Sequence, residues 1–90
     1  FFEVLRLFAM AAMDLGFEEE DARMLAIGTV LGTAAMAEQS EKTLEDLRKS
    51  VTSKNGTTQA GLEQLMREDT LRQLFADTTQ AAYNRAVELR

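Results

Sequence analysis

The chain has 90 residues, with 15 acidic and 10 basic side chains giving a net charge of −5, and it contains no cysteine, histidine or proline. That length is one small domain with a limited core; disulfides and thiolate metal sites are excluded, and the commonest general base and metal ligand is missing. Catalysis by this chain alone is therefore not expected, and the acidic balance with scattered Lys and Arg argues against a nucleic-acid partner, which would need clustered positive charge.

The sequence opens Phe1-Phe2-Glu3-Val4, without an initiator Met and already inside an apolar helical pattern, as expected of a fragment cut from a longer protein. Residues 1 to about 15 predict a first helix, with Gly16 at the position of a C-cap. Its charges are only Glu3, Arg6 and Asp14, while Phe1, Phe2, Leu5, Phe8, Met13 and other apolar residues run most of the way round. A helix apolar on nearly all sides must be covered on nearly all sides. Ninety residues hold too few other helices for that, so a second copy or a missing domain is expected to cover it. The opening residues lack the basic leader and cleavage site of a signal peptide. The longest uncharged run, Met24 to Ala37, is shorter than the ~18 residues of a membrane span. The expected location is the cytoplasm, with no membrane partner.

Glu18-Glu19-Glu20-Asp21 opens a second helix, with acids at the end where the helix dipole favours them. Its body, Arg23 to about Glu38, carries Gly28 and Gly32 four apart among Ala26, Thr29, Thr33, Ala34 and Ala35. Glycine costs up to ~1 kcal/mol against alanine in a helix. A tight helix crossing, within a subunit or across a dimer, would offset that cost; a tolerated pair of glycines is the plainer reading. Four of the five Met residues lie in these two helices and read as adaptable core filler. A polar connection, Gln39 to Lys42, leads to a brief third helix, opened by a Thr43 capping pattern and striped by Leu44, Leu47 and Val51.

The stretch from Val51 to Gly61 carries the chemistry. Four hydroxyl side chains, Thr52, Ser53, Thr57 and Thr58, crowd around an Asn55-Gly56 turn signal, and a helix from about Thr58 to Met66 begins directly behind. The N-terminus of a helix leaves backbone N–H groups unpaired, and the dipole adds partial positive charge, which suits a carboxylate or phosphate. An ordinary Ser or Thr N-cap fits the same residues. Gly61 suggests a close backbone neighbour or a ligand. Arg67-Glu68-Asp69 is a polar break, and Thr70 with Gln73 reads as a second capping box. The last helix places Leu71, Leu74, Phe75, Thr78, Ala82, Ala86 and Leu89 on one stripe, with Arg72, Gln73, Asp77, Gln80, Asn84 and Glu88 on a solvated face. No segment alternates like a strand. The fold class is all-α, with about five helices.

Val51-Thr52-Ser53-x-x-Gly56-Thr57-Thr58-x-Ala60-Gly61-Leu62 resembles the signature near the C-terminus of pyrroline-5-carboxylate reductases. Thr29 to Ala34 is similar to the family's glycine-containing helix, the Leu44 to Val51 helix precedes the signature at the right distance, and Arg85 to Leu89 is similar to its final helix. The resemblance implies that residues 1–90 are a helical dimerisation and substrate-binding domain, forming an intertwined homodimer, or a higher oligomer of dimers, behind an N-terminal Rossmann domain. The family reduces the cyclic imine pyrroline-5-carboxylate to proline with NADP or NAD. Ser53 and the amides around Gly56, Thr57 and Thr58 would then hold the substrate carboxylate, with the Thr58 hydroxyl close to the ring nitrogen as the catalytic contact, where orientation of the ring is favoured over proton donation. No Gly-x-Gly-x-x-Gly follows a strand, so no cofactor residue is assigned here, and the isolated chain is expected to be inactive. The chain departs from the family at Lys54-Asn55, where Pro-Gly is usual; Asn tolerates the left-handed backbone that Gly would adopt. Two other readings stay open: a non-catalytic helical association module whose turn is only a cap, and the equivalent domain of another Rossmann-type dehydrogenase.

Overall fold

A computed structural model describes all 90 residues and contains five α-helices, a single 3-10 turn and no strand. The helices are α1 (Phe2–Asp14), α2 (Glu19–Glu38), α3 (Leu44–Ser50), α4 (Thr57–Leu65) and α5 (Thr70–Glu88), with the 3-10 turn at Arg67–Asp69 between the last two. The all-α expectation holds. The chain divides into two compact units, Phe1–Leu47 and Arg48–Arg90.

The first unit is built on α1 packed against α2. The corner between them follows from Gly16, whose φ of +107° is open to glycine and strained for other residues. That conformation lets the Gly16 N–H donate to the Met13 carbonyl at 2.9 Å and the Phe17 N–H to the Ala12 carbonyl at 3.3 Å. These are the two bonds of a Schellman motif, and they satisfy carbonyls the helix end would otherwise leave open. On α2 only Ala22 and Ala26 are buried, one turn apart, while Leu5, Ala9 and Ala12 form the half-buried stripe of α1. Alanines at the contact let the two backbones approach without burying large side chains. The larger ones stay outside: Phe1 is 87% exposed, Phe2 93% and Leu31 68%. No residue of α1 is buried, and most of its large apolar side chains stay open within this chain.

The two glycines of α2 do not mark a crossing within the chain. A Cβ built on Gly28 or Gly32 would meet nothing within 4 Å, and the same holds at Gly61. The within-subunit crossing and the close neighbour of Gly61 are thus corrected to open faces. The Thr29 and Thr33 hydroxyls on the same helix donate to the Leu25 and Thr29 carbonyls at 2.7 Å each, leaving no unsatisfied hydroxyl on it.

At the start of α3 the Thr43 hydroxyl accepts from the Asp46 N–H at 3.1 Å, the cap its sequence predicts. The second predicted capping box does not form. Thr70 is already the first residue of α5, its N-cap is Asp69 in left-handed backbone without a side-chain cap, and the Gln73 amide donates to Asp77 instead. Two consecutive left-handed residues, Glu68 and Asp69, set the entry angle of α5, so no position is free for a hydroxyl to fold back on the helix. No residue of α5 is buried; on its apolar stripe Leu71 is half-buried, while Leu74 and Leu89 stand open.

Candidate functional site

The hydroxyl-rich segment is a built turn. α3 ends with the Thr52 N–H on the Lys49 carbonyl at 3.2 Å and the Thr52 hydroxyl on the Arg48 carbonyl at 2.6 Å. That hydroxyl satisfies an orphan carbonyl of the helix end, so Thr52 has a structural task. The Arg48 guanidinium contacts the Met66 sulfur at 3.5 Å, and this ties the start of the turn to the far end of α4.

Ser53 to Gly56 then reverse the chain, with the Gly56 N–H donating to the Ser53 carbonyl at 3.1 Å. Asn55, third of the four, has φ +61°, the sign a type II turn requires there. A type II turn also favours proline at its second position and glycine at its third, so Lys54-Asn55 stands where Pro-Gly would be the easiest choice. Asn sustains the geometry because its short side chain tolerates left-handed backbone.

Gly56 is the N-cap of α4, with extended backbone and no side-chain cap, and the helix begins at Thr57, one residue earlier than its pattern predicts. The reading of the turn as a Ser or Thr N-cap is thereby overturned. A Cβ at Gly56 would lie 2.5 Å from Ser53 Oγ, so the Ser53 hydroxyl occupies the space that a larger residue would need. That Cβ would displace the Ser53 hydroxyl and press on the Ser53 carbonyl at 3.2 Å, while the extended backbone of Gly56 is open to any residue. The turn therefore brings together Ser53 Oγ, Gly56 and the first-turn amides of Thr57 and Thr58, with Ser53, Thr57 and Thr58 exposed and Gly56 half-buried. An uncapped helix start beside a free-standing hydroxyl can accept an anion of carboxylate size.

One residue escapes a reading by hydroxyls alone. The Asn55 N–H donates to Gln59 Oε1, so Gln59 reaches back from the third position of α4 into the turn. The signal was partial: Gln at the third helical position is half of a capping box, but here it bonds Asn55, the residue before the N-cap.

The turn is not the only concavity. A groove of about 360 Å³ runs between α1 and α2, lined by Phe2, Leu5, Met10, Met13 and Ile27 with Arg6 and Arg23 among them. Its apolar lining suits packing rather than chemistry. The acidic side chains of the chain form no cluster of three that could hold a metal ion.

Residues 1–89 match the family model described as pyrroline-5-carboxylate reductase dimerisation. Among curated relatives, a pyrroline-5-carboxylate reductase of Staphylococcus haemolyticus is 40% identical over 88 residues, and that of Staphylococcus saprophyticus is 41% identical over 88. A third, from Staphylococcus aureus strain COL, is 39% identical over the same length. Each alignment covers 98% of this chain and 32% of the relative, so the chain spans about a third of the length of the curated relatives it matches. No solved structure matches the chain.

Proposed function

The chain belongs to the pyrroline-5-carboxylate reductase dimerisation family, and on that premise we propose that it is the dimer-forming and substrate-carboxylate-binding part of a reductase that converts pyrroline-5-carboxylate to proline. The observation that carries the proposal is the uncapped start of α4 facing the Ser53 hydroxyl, in the segment that bears the family signature. Ser53 and the Thr57 and Thr58 amides bind the carboxylate; the Thr58 hydroxyl orients the ring at its nitrogen. Fixing one end of a small, rigid substrate places its C=N bond, and positioning of this kind supplies a large part of a rate enhancement.

The reaction adds a hydride to the imine carbon and a proton to its nitrogen, and a nicotinamide cofactor, NADP or NAD, is its hydride source. A dinucleotide cradle is a strand–turn–helix construction, and these five helices do not provide one. We assign cofactor binding to an N-terminal Rossmann domain in the two-thirds of such a reductase that this chain does not span, and the 90 residues alone are inactive. Assembly as a homodimer follows from the family and is supported by the apolar side chains left open on α1 and α2. The cytoplasm is the proposed location; no helix is long and apolar enough to cross a membrane.

The test is nicotinamide oxidation by the intact parent protein with pyrroline-5-carboxylate. Saturable turnover is expected, with Thr58→Ala lowering kcat/KM about 10–100-fold, the range for losing one hydrogen bond to a charged or polarised group. The dimer and its stability should be unchanged, because Thr58 caps nothing. If Thr58→Ala instead lowered stability and left turnover alone, the turn would be only structural. A folded, cofactor-binding dimer with no turnover would make Lys54-Asn55 the mark of a different cyclic imine carboxylate.

A further inference from the structure

Whatever holds the turn also sets where the Ser53 hydroxyl and the α4 amides point. Three backbone features define it: the Ser53–Gly56 hydrogen bond at 3.1 Å, the positive φ of Asn55, and the extended backbone of Gly56. None of them is rigid by composition, because the stiffest choice for this turn, proline at its second position, is replaced by Lys54. The Gln59 side chain bonds to the turn backbone from α4: it accepts the Asn55 N–H and is itself half-buried. A capping box would run from Gln59 to the N–H of the N-cap, Gly56, which here donates to the Ser53 carbonyl instead, and would pair that bond with a second, from the N-cap side chain to the Gln59 N–H. Gly56 has no side chain, so the second bond cannot form. Gln59 thus fixes the turn from one side while the amides at the start of α4 stay uncapped.

We propose that Gln59 is a positioning residue, a latch that holds the Asn55 turn so that Ser53 Oγ and the Thr57 and Thr58 amides converge on one carboxylate. The assignment rests on the reading of this turn as the substrate-carboxylate site. Gln59 does not touch the substrate; it acts through Asn55. Without the latch the turn samples other dihedral angles, and each binding event must first select the convergent one, which raises the apparent dissociation constant by the lost fraction. Once substrate is bound the same turn is in place, so the chemical step is little changed.

The experiment compares variants of the intact parent enzyme under steady-state turnover, with the dimer checked by sedimentation. Gln59→Met, which keeps length and removes the acceptor, should raise KM for pyrroline-5-carboxylate about tenfold with kcat within about twofold, the pattern of lost ground-state preorganisation. Gln59→Ala should behave alike and serves as the second variant. Adding Lys54→Pro and Asn55→Gly to Gln59→Met sets the turn by composition and should return KM to within about threefold of the parent. A residue that merely stabilised the fold would lower kcat and KM together with stability and would not be rescued at the turn. Unchanged KM in Gln59→Met and Gln59→Ala, or a raised KM that the turn substitutions do not restore, overturns the latch and leaves the carboxylate site standing. Absence of turnover with this imine in the unsubstituted enzyme overturns the carboxylate reading first, and the positioning role falls with it.

Discussion

Three residues other than glycine hold left-handed backbone: Asn55 at φ 61°, Glu68 at 56° and Asp69 at 60°. A short polar side chain eases that conformation for Asn and Asp; a Glu side chain does not. Glu68 has an exposed ion pair to Arg67 at 3.8 Å in return, which is a weak contact. Glu68→Gly removes a steric cost of roughly 1–2 kcal/mol and adds about 0.5–1 kcal/mol of chain entropy to be lost on folding. The expected net result is a rise of up to about 1.5 kcal/mol in stability, seen as a higher urea midpoint at unchanged slope. A lower midpoint would mean that the Glu68 side chain does something in the assembled protein that its exposed position does not reveal. At the other end of the chain Glu3 accepts two bonds from Arg6, at 2.7 and 2.6 Å, and the hydrogen bond to that guanidinium holds its carboxyl below the usual value. A folded pKa below the unfolded one means stabilisation present above the unfolded value and lost as pH falls through the folded one. The Glu3 carboxyl resonance should therefore titrate at lower pH than in an unstructured peptide, and Arg6→Gln should return it to the peptide value. Equal midpoints in both proteins would dismiss the pair as a solution contact.

Element by element, the helices were legible where side-chain chemistry decides an end. Gly16 announced the Schellman corner, Thr43 its cap, and the acidic run its place in the first turn of α2. Reading failed where backbone conformation decides. The Thr70–Gln73 pattern has the letters of a capping box, but Asp69 enters α5 with left-handed angles that exclude one. At α4 the hydroxyls read as caps, whereas the cap is Gly56, with Ser53 Oγ in the space where a Cβ would stand. That close approach, like the Gln59 bond, depends on a fold-back that spacing alone does not encode. The glycines of α2 belong to a third kind, residues that meet nothing within the chain. If a second copy packs against that face, Gly32→Leu should leave the helix content of the chain intact and weaken the dimer by the 1–3 kcal/mol typical of overpacking, roughly 5–150-fold in dissociation constant. Sedimentation equilibrium reads this directly. An unaltered dimer would place the interface on another face of α2.

At the scale of the whole molecule the balance between chain entropy and burial is the deciding quantity. Fixing each backbone residue costs about 1–2 kcal/mol, and burial of apolar surface returns only about 25 cal/mol per Å². Ala22 and Ala26 are the only buried residues, while Phe1, Phe2, Leu15, Leu31, Leu44 and Leu89 are each more than two-thirds exposed. Local helix propensity does not close such a gap, because most helical stability in proteins comes from packing of an apolar face. The prediction is that folding of these 90 residues is coupled to association, with stability following mass action. Each tenfold rise in protein concentration should stabilise a folded dimer by about 1.4 kcal/mol against unfolded chains. With a slope of about 1–3 kcal/mol/M, the urea midpoint followed by helical circular dichroism should climb by roughly 0.5–1.4 M for each tenfold step. At the most dilute end the helical signal should already be reduced without denaturant. A full helical signal with a midpoint independent of concentration would require the single chain to be stable with its apolar stripes in water, and the dimer would then be an association of preformed domains rather than the condition for having one.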